Sequence, residues 1–150
     1  MQAERLELAK GQGATDTWIG GEDTVQRVLD ETGGFGADYT FEATGIVSVM
    51  RQAVEYARMG WGLCTVAGVA GKGETLDIVP RYLITGRRVC GSSFGGVKGR
   101  DQVPQLVQRY LDGDLDVDPF ISHRITLDDV NRGFELMEAQ DGIRSVIRFA

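Results

Sequence analysis

Residues 34–45 read Gly-Phe-Gly-Ala-Asp-Tyr-Thr-Phe-Glu-Ala-Thr-Gly, a short apolar strand pattern held between two glycine turns. Gly33, Gly34 and Gly36 stop the helical periodicity of Val25, Val28 and Leu29, which Asp23 or Thr24 would cap. Residues 37–42 then form a strand, and Ala43-Thr44-Gly45 turns the chain into a helix over 47–58 with Val47, Met50, Ala53, Val54 and Ala57 on one face. Strand, small-residue turn and helix in that order are half of a βαβ unit.

The same grammar continues outward. Residues 63–69 are nearly all apolar, as expected of a parallel strand covered on both faces. Residues 76–79 suggest a further short strand, Pro80 a helix start, and residues 88–92 a third strong strand closed by Gly95-Gly96. A helix around Pro104, strands over 121–125 and 144–149, and a helix over 127–139 complete the chain. Towards the start, residues 3–10 look helical and Thr17-Trp18-Ile19 reads as a brief strand. The three strong strands all end in small-residue turns, after Glu42, Ala67 and Ser92. In open α/β sheets a ligand lies outside those carboxyl ends, although glycine also simply makes short loops.

Composition narrows the classes. Of 150 residues, 42% are hydrophobic and 25% charged, which excludes disorder and fibre. Glycine supplies 21 residues, twice the usual share of about 7%. The net charge of −6 and the absence of clustered Lys and Arg argue against nucleic acid; Arg87-Arg88 and Lys98 with Arg100 read as solvated pairs. No apolar run reaches the roughly 18 residues of a membrane span, and the charged opening decade is no secretory segment, so no membrane partner and a cytoplasmic setting are expected. Cys64 and Cys90 each lie in an apolar run and read as buried free thiols.

Chemical motifs are sparse. Gly11-Gln12-Gly13-Ala14 and the Gly91–Gly96 segment are weak echoes of a dinucleotide fingerprint, since neither joins a strand to an apolar helix. His123 is the lone histidine and sits in an apolar run, where a structural role outweighs that of a base. Alternating Asp112, Asp114, Asp116 and Asp118 lack the glycine and distal glutamate of a calcium loop. No set of ligands with metal spacing is present, so the expectation is no metal site and no catalytic residue in this chain. Glu42 reads equally well as a polar contact to a cofactor or neighbouring loop and as a helix N-terminal cap.

Four strings taken together carry a family likeness: residues 34–45, TVAGVAG at 65–71, LITGRRVCGSSFGGVKGRDQVPQLV at 83–107, and the ending ISHRITLDDVNRGFELM with IRSVI. The chain resembles the zinc-dependent alcohol dehydrogenases of the medium-chain dehydrogenase/reductase superfamily, in particular the glutathione- or mycothiol-linked formaldehyde dehydrogenase and aryl-alcohol branches. The resemblance implies the carboxyl-terminal portion of such an enzyme. The fold would be α/β, an incomplete Rossmann-type parallel sheet lacking its first strand and glycine-rich turn. Residues 1–116 would be a partial NAD(P)-binding domain, and 117–150 a segment packing toward a GroES-like catalytic domain. Zinc would be held only in the N-terminal half. The implied cofactor is NAD, with NADP open because the acid that discriminates them would precede Met1.

Cofactor contacts implied by the resemblance are Ala43, Thr44 and Gly45 near the riboses, and Ala67, Gly68 and Val69 near the nicotinamide. Ser92, Ser93 and Phe94 would complete the carboxamide site, and Arg144 would face the pyrophosphate. Residues 74–89 resemble a subunit contact, implying a homo-oligomer, and the substrate would be a small alcohol or aldehyde. Two other readings stay open: a non-catalytic nucleotide-binding or oligomerisation module, and another α/β enzyme with an adenosine ligand, such as a methyltransferase. Because the first strand would be central, the chain alone is expected to be inactive and marginally stable, to associate through open edges, or to be a gene fragment.

Overall fold

The computed structural model describes residues 3–149 and divides into two compact units, Met1–Val97 and Lys98–Ala150. In the first unit, helices α1 (Ala3–Gly11) and α2 (Thr24–Glu31) precede strand β1 (Tyr39–Glu42). Helix α3 (Val47–Glu55), strand β2 (Leu63–Val66), the single-turn helix α4 (Arg81–Ile84) and strand β3 (Arg88–Gly91) follow. The three strands form one parallel sheet in the order β1-β2-β3.

Strand alternation decides which residues enter the core. Thr40 and Glu42 are buried beneath α3, whereas Tyr39 and Phe41 point the other way and stay exposed, Phe41 at 72%. On α3 the spacing of Met50, Ala53 and Val54, continued by Ala57 just beyond, buries one stripe. Ala53 and Val54 pack with Cys64 of β2, and Tyr56, Val66, Ile78 and Tyr82 close over that cluster. The Thr40 hydroxyl donates to the Ala53 carbonyl at 2.9 Å, so a polar residue is admitted to the core with its hydrogen bond made.

Several expectations are corrected. Residues 17–19 and 76–79 are not strands, because neither meets a ladder partner to satisfy its backbone. The sheet is covered within this unit on one face only, and every residue of β3 is exposed. Cys90 therefore stands exposed while Cys64 is buried. Arg87 is no solvated charge: its Nε donates to the Ala57 carbonyl at 2.6 Å and its guanidinium lies 4.8 Å from the Tyr82 ring.

In the second unit, helix α5 (Gly99–Leu111) carries Pro104 in its second turn. Strands β4 (Ile121–Ile125) and β5 (Arg144–Ile147) pair in parallel, joined by helix α6 (Val130–Glu138). Thr126 and Asp129 form a reciprocal capping box in the turn that leads into α6. His123 is satisfied structurally, with Nε2 at 3.3 Å from the Asp141 carbonyl and 3.6 Å from its carboxylate. Among the described residues no helix is long and apolar enough to cross a membrane.

Candidate functional site: a rim of three strand ends

The register of the parallel sheet sets the site. Glu42 is opposite Val66, and Val66 is opposite Gly91, so β1, β2 and β3 end level with one another. The turns that begin at Ala43, Ala67 and Ser92 thus leave the sheet side by side along one rim. A backbone hydrogen bond from Ser92 N to Val66 O at 2.9 Å extends the ladder past the last β3 residue.

The first turn is fixed from below. Glu42, at 1% exposure, turns its carboxylate forward into the turn that follows it, and Oε1 accepts from Thr44 N, Thr44 Oγ1 and, at 3.0 Å, Gly45 N. The Thr44 hydroxyl in turn accepts from Ile46 N at 3.1 Å. Residue 46, not Glu42, is the N-cap of α3, so of the two roles read for Glu42 the loop contact is the one present. Gly45 adopts φ 80°, a left-handed value that only glycine takes without strain.

The second turn lies against the first. A Cβ at Gly68 would stand 2.5 Å from Glu42 Oε2 and closer still to Gly45 N, and one at Gly45 would strike the Val69 carbonyl. Both glycines are therefore dictated by a backbone-to-backbone approach. Ala67 and Val69 face outward, Val69 at 90% exposure.

The third turn is open. Ser93 and Phe94 are exposed, Phe94 at 92%, and Phe94, Gly95 and Gly96 take consecutive left-handed φ values of 49°, 70° and 69°. A bulky residue at positive φ is a strained position, of a kind that clusters at ligand-binding turns. Gly91 and Gly96 have no atom within 4 Å of where a Cβ would stand, leaving the backbone open to a flat or charged group.

Nine of the ten residues proposed from sequence thus fall on this rim. The tenth, Arg144, is the first residue of β5 in the second unit; its side chain is exposed and makes no hydrogen bond or ion pair with the described residues. Sequence reasoning left Glu42 undecided, although a glutamate at a strand end two residues before a Thr-Gly turn was the available signal. Among the described residues no group of three or more His, Cys, Asp or Glu side chains could hold a metal. The aspartate run is a solvated loop in which Tyr110 donates to the Asp118 carboxylate.

Comparison with known proteins agrees with this architecture. The sequence is 44% identical over 148 residues to the S-(hydroxymethyl)glutathione dehydrogenase of Synechocystis sp., covering 97% of this chain and 40% of that protein. It is also 44% identical over 149 residues to the protein of the same name from Escherichia coli O1:K1 / APEC. An alcohol dehydrogenase zinc-binding domain protein from Burkholderia ambifaria superposes with a TM-score of 0.88 at 27% identity, over 98% of this chain and 40% of that one. The 2R,3R-butanediol dehydrogenase from Bacillus subtilis superposes with a TM-score of 0.80 at 26% identity, over 100% of this chain and 42% of that one. The chain therefore spans about 40% of the length of the curated relatives it matches. The zinc-binding dehydrogenase profile matches residues 1–112, and with the parallel sheet and its glycine rim this places the chain in the zinc-binding dehydrogenase family.

Proposed function

We propose that this chain is the nicotinamide-dinucleotide-binding portion of an alcohol dehydrogenase. The reaction would be hydride transfer between a primary alcohol, or a hydroxymethyl adduct of a thiol, and NAD, with NADP as the alternative cofactor. Residues 1–116 would supply the partial nucleotide-binding domain and 117–150 the segment that packs toward a catalytic domain. The observation that carries this reading is the level ending of three parallel strands, with two almost fully exposed apolar side chains, Val69 and Phe94, at their carboxyl ends.

The residues present fit a dinucleotide. The nicotinamide ring supplies the redox chemistry, as hydride acceptor or donor, when it is bound. The turns at Ala43-Thr44-Gly45 and Ala67-Gly68-Val69 would hold the ribose and nicotinamide. Ser92, Ser93 and Phe94 would offer backbone groups to the carboxamide and an apolar wall against water. The exposed Arg144 guanidinium would suit a bidentate grip on the pyrophosphate. The residues present do not fit zinc, since the described chain assembles no ligand cluster. No step of the chemistry is assigned to a metal held here.

Association between copies is part of the reading. β3 is a sheet edge with every residue exposed, and Leu83 and Ile84 just before it are exposed as well. An uncovered edge flanked by apolar residues favours pairing with a second chain through residues 74–89, in a cytoplasmic homo-oligomer.

Fluorescence titration of the purified chain with NADH, and in parallel NADPH, tests the assignment. Micromolar binding is expected, weakened about tenfold by Arg144→Ala, a loss of about 1.4 kcal/mol. No saturable binding of either dinucleotide would overturn it.

A further inference from the structure

Glu42 gathers donors from two rim turns at once. Its backbone carbonyl accepts from Ala67 N at 2.7 Å and from Gly68 N at 3.0 Å, both in the turn after β2. Its carboxylate Oε1 accepts from Thr44 N, Thr44 Oγ1 and Gly45 N in the turn after β1. The other oxygen, Oε2, is buried and has no hydrogen-bond partner among the described residues. It lies beside Gly68, 2.5 Å from where a side chain there would begin.

A buried acceptor left without a partner is costly, and local capping of the Thr44 turn does not require it. A shorter side chain could cap that turn from its own position. What the longer glutamate does in addition is fill the space between the turns, with Oε2 against the face of Gly68. We propose that Glu42 is a positioning residue that locks the turns at 43–45 and 67–69 into one body, and so sets the seat for the nicotinamide end of the cofactor. The seat itself rests on the function proposed above; the locking does not. Glu42 is buried and acts only through the backbone it holds.

Amide hydrogen exchange on the 150-residue chain, read by NMR, tests the locking without a ligand. In Glu42→Ala the amides of Thr44, Gly45 and Gly68 should all exchange at least tenfold faster, although the Gly68 amide bonds only to the residue 42 backbone. Glu42→Gln, which keeps an acceptor oxygen and the side-chain volume, should restore most of the protection. Faster exchange at Thr44 and Gly45 with Gly68 unchanged would reduce Glu42 to a local cap and overturn the proposal. If Glu42→Ala does not fold, Thr44→Val removes one donor to the same oxygen. A rise at Gly68 in that variant supports the locking, and no change there overturns it.

Ligand titration separates the locking of the turns from the seat it would set. Glu42→Ala should weaken NADH binding about tenfold and ADP-ribose binding by a clearly smaller factor. ADP-ribose keeps the riboses that the turn at 43–45 would meet and lacks only the nicotinamide ring that the turn at 67–69 would meet. Equal losses for both would overturn the assignment of the nicotinamide end. Failure of the unaltered chain to bind either ligand would sink the cofactor reading and the seat with it, while the exchange data decide the locking by themselves.

Discussion

Gly45 and Gly68 meet backbone to backbone at the rim, so closely that a Cβ on Gly68 would stand 2.8 Å from the Gly45 Cα. Gly45 also holds φ 80°. Gly34 offers the contrast, with φ 84° but open space around its missing side chain. Gly45→Ala combines left-handed strain with overpacking and should cost about 3 kcal/mol. Gly34→Ala meets strain alone and should cost about 1 kcal/mol. Urea midpoints for the two variants check this; equal losses would mean that the close approach adds nothing.

The sheet was legible in the sequence because its signals are local. Apolar runs bounded by glycine turns mark β1, β2 and β3 within a few residues, and the stripe of Met50, Ala53, Val54 and Ala57 marks α3. Non-local facts were not legible. Residues 17–19 have strand composition but no neighbour to pair with, and strand propensity alone cannot supply one. Cys64 and Cys90 sit in similar apolar runs, yet one lies on the central strand under α3 and the other on an edge. At the site, the resemblance pointed to the rim turns, whereas the double role of Glu42 depends on β1 and β2 ending level, a register that neither strand encodes alone.

That difference between the cysteines makes a labelling prediction. An exposed thiol reacts with a disulfide reagent through its thiolate, while a buried one must wait for the chain to open. Cys90 should be modified promptly in native buffer, and Cys64 only in denaturant or at the opening rate. Two thiols titrating together in the native chain would contradict the core described for β2.

Cys64 also sets a pH dependence. Burial pushes its thiol above the usual range, the Thr40 hydrogen bond opposes this, and Cys90 and Glu42 add to it. As pH rises past the ordinary thiol value near ~8.5, the unfolded chain loses a proton that the folded chain retains. Proton release then favours unfolding, so this contribution is complete below that value and declines above it. Burial raises the Tyr56 hydroxyl as well and extends the decline to higher pH. Urea midpoints should fall from about pH 8.5 upward, and Cys64→Ala should flatten the first part of that slope. An unchanged slope would remove Cys64 as its source.

The capping box before α6 titrates in the opposite sense. Hydrogen bonds from the Thr126 hydroxyl and backbone hold the Asp129 carboxyl below its ordinary value. A carboxyl depressed in the folded chain adds stability above its unfolded pKa, and that stability is lost as the pH falls through the folded one. Thr126→Val removes the leading cause. Carbon-detected NMR titration should then show the Asp129 midpoint moving up toward the value of a free aspartate. A midpoint that stays in place would assign the depression to another group, such as the nearby Arg132.

Phe94 sets stability against binding. Its φ of 49° is costly for an aromatic residue, and at 92% exposure its ring gains almost nothing from burial within the chain. Asparagine tolerates that backbone region far better. Phe94→Asn should therefore raise stability by about 1 kcal/mol, the low end of the strain released. If the ring is the apolar wall of the proposed nicotinamide seat, the same variant should bind NADH several-fold more weakly. A gain in stability together with a loss of binding is the signature expected of a strained residue kept for its ligand. Unchanged binding would leave the strain at Phe94 without a function and would shift the candidate wall to Val69 alone.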